Sequence, residues 1–436
     1  MRRAVVLGGS FAGLLAARVL SDAADEVVIV EPDLLHDAGH GPGAPHRQQL
    51  HALLSMGRIQ LERLHPGISE ELTESGASLA TGSGLQFYTD GQLRPAVEDV
   101  ETISATRSAI ESSVRRRTER IDNVRFLTAR ARGIRLEADR VQGVHYAKDG
   151  DEAASLEADF VVDAMGRSSR LTTWLVEQGW PAPPVDRMRV DLGYATATFS
   201  RGSELPGSVI VHSSPGPASN YLPTLCEPAA MAAVEGNRWM VVLVGYADHR
   251  PGADPKEFLA RMRRCVGPIQ EVADRCEMEE GSLSSFHFRE SQRRRFEELD
   301  RLPGGLAVMG DALASVNPIY GQGLTLATLQ ASCLALHLRS GDPQLPSWGY
   351  FRRAAAVVKP AWELSTTADL AQPHVTGPYP RGYPILRWIG DRITGASVQD
   401  SVLNREYVNV IHMRQHPRAL TRPQVLLRTA RVLLNR

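Results

Sequence analysis

Near the amino terminus a short apolar run, Arg3-Ala4-Val5-Val6-Leu7, breaks into Gly8-Gly9-Ser10-Phe11-Ala12-Gly13. An alanine- and leucine-rich stretch follows, and then a second apolar run, Val27-Val28-Ile29-Val30, that closes on Glu31. No other stretch constrains the fold as strongly: this order of patterns is one βαβ unit, two parallel strands joined by a buried helix. Gly8 permits the sharp turn out of the strand, and Gly13 lets the helix pack closely on the sheet. The helix start between them presents unpaired N–H groups and a positive dipole end to a pyrophosphate. Glu31 follows Gly13 by 18 residues, where a carboxylate can accept hydrogen bonds from both hydroxyls of an adenosine ribose. An acid there favours an unphosphorylated ribose, as in FAD or NAD. Ser10 stands where the fingerprint usually has its middle glycine, so the loop needs support from elsewhere in the chain.

A chain of 436 residues, 43% of them hydrophobic, can bury a large core in two or three lobes. Its formal net charge of −1 provides no basic field and argues against a nucleic-acid partner. Cys226, Cys265, Cys276 and Cys333 form no CxxC pair and have no histidine at metal-ligand spacing, so the expectation is reduced core thiols, no metal and a cytoplasmic protein. Met1-Arg2-Arg3 before an apolar run imitates an export signal, but cleavage would remove the dinucleotide cradle. No stretch reaches the roughly 18 to 20 unbroken apolar residues of a spanning helix. The tail from 405 to 436 carries seven arginines against one glutamate. Its last segment, started by Pro423, places Leu426, Leu427, Ala430, Leu433 and Leu434 on one helical face, for packing on the body or at most peripheral membrane contact.

Between these ends the pattern changes several times. His51 is expected to open a helix carrying Leu53, Leu54, Met56, Ile59 and Leu61, with Arg47 to His51 set against the cofactor or serving as a polar cap. Tyr88 to Leu93 reads as a hairpin with an Asp90-Gly91 turn. Val124–Leu127, Ala131–Leu136 and Val141–Ala147 read as strands. Phe160-Val161-Val162-Asp163 is a fully apolar strand ending in Asp163-Ala164-Met165-Gly166, as a cofactor-facing strand end does. From 190 to 245 strands follow without helices: Val190–Phe199, Ser208–Ser213, Tyr221–Leu225 and Trp239–Gly245. They predict an antiparallel second lobe, with a helix over Pro255–Val266 and a return strand over Ser282–Arg289. A last strand, Leu306–Met309, runs into Gly310-Asp311, Asn317-Pro318-Ile319-Tyr320-Gly321-Gln322-Gly323-Leu324 and a buried helix over Thr325–Leu338. Gly321 and Gly323 let a ligand approach the backbone at that helix start, where free amides stabilise negative charge.

Three separated signatures coincide: Gly8-x-Ser10-x-x-Gly13 with Glu31, Asp163-Ala164-Met165-Gly166, and Gly310-Asp311 with Pro318-x-x-Gly321-Gln322-Gly323. Together they resemble the single-component (class A) FAD monooxygenases of the para-hydroxybenzoate hydroxylase fold. Within that superfamily, Asn317–Gly323 and Asp163–Arg170, with Pro45 to Leu54, look most like actinobacterial epoxidases of the polyether and squalene type. The resemblance covers most of residues 1–345. It implies an α/β fold: a Rossmann-like FAD-binding domain from 1–75, 100–170 and 285–345, a mixed or antiparallel-sheet substrate domain from 76–99 and 171–284, and a helical region from 346–436. It implies that Gly8, Gly9, Ser10, Phe11, Ala12, Gly13 and Glu31 hold the adenosine and pyrophosphate. Arg107 contacts FAD, Asp311 the ribityl or pyrophosphate region, and Pro318, Gly321, Gln322, Gly323 and Leu324 the isoalloxazine. Asp163 and Gly166 belong to a motif associated with FAD and nicotinamide contact. The chain departs from the related Pro-Gln-x-Arg-His-x-His pattern in Pro45-His46-Arg47-Gln48-Gln49-Leu50-His51, which leaves Arg47 as the substitute arginine.

The implied reaction has NAD(P)H as co-substrate reducing FAD, O2 adding to give a C4a-hydroperoxide, and oxygen transfer to an alkene of a lipophilic terpenoid or polyketide, an epoxidation for secondary metabolism. No protein nucleophile is required, and no base is assigned; Tyr320, inside the flavin motif, is the candidate catalytic residue. There is no second glycine-rich nucleotide motif, so NAD(P)H docks transiently or a separate reductase supplies electrons. Tyr194, Asn220, Tyr221 and Trp239, on the second-lobe strands, are candidate cavity walls, with core packing as the ordinary alternative. A carboxylated substrate would call for an inward-facing arginine; Val190–Phe199 and Trp239–Gly245 offer none, which leaves Arg289 and Arg293. Aromatic hydroxylation, reduction of a prenyl or polyene chain, and non-catalytic FAD binding in an assembly stay open. A halogenase is disfavoured by the lack of a Trp-x-Trp-x-Ile-Pro motif and of any lysine before Lys148.

Overall fold

The computed structural model describes residues 1–33, 48–148, 151–214 and 227–435. Arg47, Asn220, Tyr221 and the strand expected over 221–225 lie outside the described residues.

Strands Arg3–Leu7 and Glu26–Glu31 flank helix Phe11–Leu20 as expected, and they pair in parallel with Leu7 beside Val30. They form the middle of a five-stranded, wholly parallel sheet ordered 306–308, 160–163, 3–7, 26–31, 124–128. The inner strands 160–163, 3–7 and 26–31 and the edge strand 306–308 are buried almost throughout, which explains why they read as apolar runs without alternation, whereas the other edge strand, 124–128, exposes Arg125 and Thr128. Of the strands expected between 124 and 147, only Val124–Thr128 joins this sheet. Arg130–Glu137 pairs with Arg140–Ala147, and that strand with Ala154–Glu157, in a separate antiparallel sheet on the path to Phe160–Asp163.

The second large sheet has eight strands and is antiparallel except where Leu85–Thr89 lies parallel to Ile210–Ser214. Of its longest members, Val185–Ser200 and Arg238–Tyr246 extend the expected strands at both ends, whereas Ser284–Arg294 starts two residues later than expected and runs five residues further. The Asp90-Gly91 hairpin is present, with φ of +48° and +82° at the two turn residues, the geometry whose twist suits a two-residue hairpin. The two faces of this sheet have different fates. Ala195, Ala197, Phe199, Trp239, Val241 and Leu243 pack on Phe258, Met262, Ile269 and Val272 of the two helices Pro255–Met262 and Gly267–Arg275. Those two helices replace the single helix expected over 255–266; Gly267-Pro268 starts the second, where proline's missing N–H costs nothing. The alternate residues Tyr194, Val242, Val244 and Tyr246 face the other way.

The expected helix beginning at His51 starts instead at Ser55 and ends at Leu64. His51 to Leu54 run extended, with Leu53 bridged to Ile103 and its carbonyl accepting from Thr102 Oγ1; that pairing wins over helix propensity. Helix Gly323–Ser340 is buried over most of its length as expected, but Leu336 in its last turns is exposed. After it, Trp348–Asp369 anchors to the parallel sheet through Tyr350, whose hydroxyl donates to the Val308 carbonyl at 2.7 Å. Three further helices, Tyr383–Ser397, Ser401–Ile411 and Pro423–Leu434, complete the chain. The last packs Val425, Val432 and Leu433 over Ala396 and Leu403 and pairs Arg428 with Asp400 at 2.8 Å. Its buried face is therefore rotated from the expected one, leaving Leu427 and Leu434 exposed. No helix among the described residues is long and apolar enough to cross a membrane.

A Cβ added to Gly13 would lie 1.9 Å from the Gly8 carbonyl oxygen, a clash between backbone atoms that no rotamer relieves. Gly13→Ala is expected to cost about 1–3 kcal/mol, read as a lower urea midpoint. Gly267→Ala, with nothing within 4 Å of its Cβ position, should leave the midpoint unchanged.

Candidate functional site

The carboxyl ends of the parallel strands lie level with one another: Leu7 pairs with Asp163 and with Val30, and Asp163 with Val308. The segments that leave those ends therefore meet along one edge, where open α/β sheets bind ligands. Gly8, Ser10, Phe11, Ala12, Glu31, Gly166, Arg107, Asp311, Pro318, Tyr320, Gly321, Gln322, Gly323 and Leu324 all line a single cavity of about 1310 Å³ there. Gly9 and Gly13 stand behind it: the Gly9 N–H donates to Glu31 Oε2 at 2.5 Å, and Gly13 packs against Gly8. A second N–H, from Asp33, reaches Glu31 Oε1 at 2.9 Å, so the carboxylate is held at its strand end by the backbone.

Arg107 begins helix Arg107–Glu119, capped by the Thr106 hydroxyl accepting from Ala109 N at 3.1 Å. Buried, it is neutralised by Glu111 at 2.9 Å and donates to Ser10 Oγ at 3.3 Å, which ties the Gly8–Gly13 loop to this helix. Asp163 is placed differently from expectation. Its carboxylate is 1% exposed and turned inward, accepting from Met165 N at 3.0 Å and Ser169 Oγ at 2.5 Å. It shapes the turn that presents Gly166 (φ +70°) to the cavity, and burial raises its pKa to about 6.

Asp311 does face the cavity. Burial raises its pKa, opposed by the nearby Arg167 and Arg107 guanidinium groups and by a hydrogen bond from Ser315 Oγ at 3.3 Å. Arg167 was not among the expected site residues; it donates to Ser315 Oγ at 2.8 Å and lies over the Phe288 ring. At the start of helix Gly323–Ser340, Gln322 lines the cavity and its Oε1 is buried without a hydrogen-bond partner among the described residues, and Gly321 turns with φ +65° against Ala52. Unpaired buried acceptors beside free helix N–H groups are costly unless a polar ligand meets them.

A buried polar cluster that sequence reasoning missed adjoins this motif. Asp369 Oδ1, at the end of helix Trp348–Asp369, accepts from Asn317 Nδ2 at 2.8 Å, Tyr320 OH at 3.0 Å and Tyr246 OH at 3.3 Å. Its other oxygen has no partner among the described residues, and its pKa is raised to about 7 by burial that these three donors only partly offset. Asp369 is separated from Tyr246 by more than a hundred residues, and no local pattern marks it. Tyr320, the candidate catalytic residue, is thus a phenol hydrogen-bonded to a carboxyl that titrates near neutrality.

Of the four candidate substrate residues, Tyr194 lines the cavity and lies against Phe286, with ring centroids 5.5 Å apart. Trp239 does not. It pairs with Phe199, five residues beyond Tyr194, which puts it on the opposite face of the sheet. There it is fully buried, with its indole N–H on Glu204 Oε1 at 2.5 Å. Arg289 is exposed, and Arg293 pairs with Asp186 at 2.7 Å; neither lines the cavity. No group of three possible metal ligands occurs among the described residues.

No protein-family model matches the chain. A Mycobacterium tuberculosis protein named Protein Rv3254 is 29% identical over 419 residues, which cover 92% of this chain and 87% of that one. Among solved structures, the flavin-dependent brominase Bmp2 aligns over 99% of this chain and 98% of its own, with TM-score 0.69 and 16% identity. The p-nitrophenol 4-monooxygenase PnpA of Pseudomonas putida DLL-E4 aligns over 95% and 98%, with TM-score 0.64 and 17% identity. At such identities the likeness is one of fold: the chain has the α/β architecture found in flavin-dependent monooxygenases and halogenases.

Proposed function

We propose that the chain is an FAD-dependent monooxygenase that uses NAD(P)H and O2 to epoxidise an alkene of a lipophilic secondary metabolite, a terpenoid or polyketide. The observation that carries this reading is the convergence of the strand-end loops on one largely apolar cavity, about 1310 Å³ against the roughly 300–1,000 Å³ of a site for one small ligand. The residues present fit FAD. The glycine turn and the start of helix Phe11–Leu20 suit the pyrophosphate, Glu31 the ribose, Asp311 the ribityl hydroxyls, and the Gly321–Leu324 backbone with Gln322 the flavin ring. When bound, FAD would supply the redox chemistry and the activation of O2. The chain's own share is to orient, to exclude water and to hold protons. Val242, Val244, Tyr194 and Phe286 provide an apolar wall that keeps water from the reacting atoms. In this reading residues 1–75, 100–170 and 285–345 bind the cofactor, and 76–99 with 171–284 enclose the substrate, except that strand Ser284–Arg294 belongs to the second sheet and lends Phe286 to the enclosing wall.

The Tyr246–Asn317–Tyr320–Asp369 cluster favours one second reading, hydroxylation of a phenol, because a carboxyl titrating near pH 7 can take a phenolic proton through Tyr320. Halogenation finds no support at the site: Lys148, Lys256 and Lys359 are all exposed and none lines the cavity.

FAD is expected to co-purify with the protein, and Asp311→Ala should weaken its retention at least about tenfold, because a carboxylate hydrogen-bonded to cofactor hydroxyls is worth on the order of 1.5–3 kcal/mol. Full occupancy in a folded Asp311→Ala protein would contradict the assignment. Supplied with NADPH, O2 and matched panels of polyenes and phenols, the enzyme should add oxygen to polyenes, as read by product mass and flavin reduction rate. Oxygen gained only on phenol rings would replace epoxidation by aromatic hydroxylation, and turnover without O2 uptake would indicate a reductase. Asp369 holds its proton more tightly in the folded than in the unfolded chain. Its contribution is therefore fully present below the ordinary carboxylate pKa and is lost as pH rises through about 7, by up to about 1.4 kcal/mol per pH unit. Asp369→Asn keeps an acceptor oxygen without the titration. Its stability relative to the parent should rise between about pH 5 and about pH 8, and parallel urea midpoints across that range would refute this.

A further inference from the structure

Away from the flavin motif the cavity wall contains a buried cation. Arg94 follows the Asp90-Gly91 hairpin, with its N–H bonded to the Phe87 carbonyl at 2.8 Å, and its side chain is 5% exposed. Nε donates to Thr89 Oγ1 at 2.8 Å. Nη1 donates to Ser397 Oγ at 2.8 Å and Asn404 Oδ1 at 3.4 Å, and the guanidinium carbon lies 4.2 Å from the centre of the Tyr407 ring. Every one of these partners is neutral. Three arginines among the described residues are this deeply buried; Arg107 pairs with Glu111 and Arg261 with Glu227, whereas Arg94 has no carboxylate within 4 Å. Its Nη2 makes no hydrogen bond among the described residues, and the residue lines the cavity.

His212 and His412 line the same part of the cavity. Burial pushes both down to about 4, helped for His212 by the Arg94 charge, so at neutral pH they add polar ring nitrogens and no charge. From this corner an apolar wall of Phe87, Ile210, Ala230 and Val242 leads towards Tyr194 and the Gly321–Leu324 loop. A buried guanidinium without a counter-ion is unfavourable, and the matching partner is planar and anionic. One positive charge suits a single negative charge; a phosphate dianion would leave excess charge in an apolar chamber.

We infer that Arg94 binds the carboxylate of the substrate, so that the substrate class is an amphiphilic acid: an apolar unsaturated chain whose carboxylate sits at Arg94 while its alkene lies by the flavin loop. This deepens the epoxidase reading and rests on it for the position of the alkene, but the anion site itself is read without turnover. The test is calorimetric binding of unsaturated fatty acids, from medium to long chain, and of their methyl esters to the FAD-loaded protein, with neither NADPH nor O2 turnover. At least one acid should bind about tenfold or more tightly than its ester, the scale of one charge-assisted hydrogen bond. Arg94→Met should remove that preference while leaving ester binding in place. Thr89→Asp, which brings a carboxylate to Arg94, should remove it too and covers the case in which Arg94→Met fails to fold. Equal affinity for acid and ester, no acid binding across the series, or a preference that survives both substitutions would overturn the inference. Preferred acid binding in a protein that transfers no oxygen would uphold the anion site and refute only the epoxidase reading.

Discussion

Four strand ends are stitched together by backbone hydrogen bonds, and the rest of the site depends on that edge. Gly8 N–H donates to the Val30 carbonyl at 2.9 Å, Ala164 N–H to Leu7 at 2.8 Å, and Met309 N–H to Asp163 at 2.8 Å. These bonds exist because the parallel register is level, and the level register brings loops that are hundreds of residues apart in the chain to one line. Gly13 contributes by having no side chain where the Gly8 oxygen lies. The helix can therefore begin directly at the strand end, aiming its free amides over the edge.

The second sheet encloses the cavity by a different rule. Successive residues of a strand face opposite sides, so Val185–Ser200 and Arg238–Tyr246 contribute alternately to the core beneath helices Pro255–Met262 and Gly267–Arg275 and to the cavity wall. The short strand Ala314–Ser315 pairs with Gln292 and Arg293 of this sheet, fastening the loop that carries Asp311 to the wall that faces it. At the opposite edge the Asp90-Gly91 hairpin ends in Arg94. The strand-end edge and the buried cation thus belong to one chamber with a largely apolar middle.

Burial governs the chemistry of the charged groups in and around this chamber. Asp163, Asp311 and Asp369 are all raised in pKa by desolvation, yet they do different work because their partners differ. Asp163 is satisfied by Met165 and Ser169 and shapes a turn; Asp311 faces the cavity near two guanidinium groups; Asp369 gathers two phenols and an amide onto one oxygen. Geometry alone places identical side chains in different surroundings.

The sequence by itself determined the parts of this protein that depend on local pattern. The βαβ unit, the glycine turns, the apolar strand ending at Asp163, the loop from Gly310 to Leu324 and the hairpin at Asp90-Gly91 are legible because turn chemistry and periodicity act over a few residues. It could not determine which face a strand residue presents: Tyr194 and Trp239 read alike, and only the pairing of Trp239 with Phe199 sends one to the cavity and the other to the core. Nor could it show that His51 precedes a helix rather than opening one, since the competing bridge from Leu53 reaches Ile103. Asp369 and Arg94 were invisible for the same reason. Their partners, Tyr246 and Asn317 for one, Ser397, Asn404 and Tyr407 for the other, come from distant segments, so that burial and the presence or absence of a counter-charge exist only once the chain has folded.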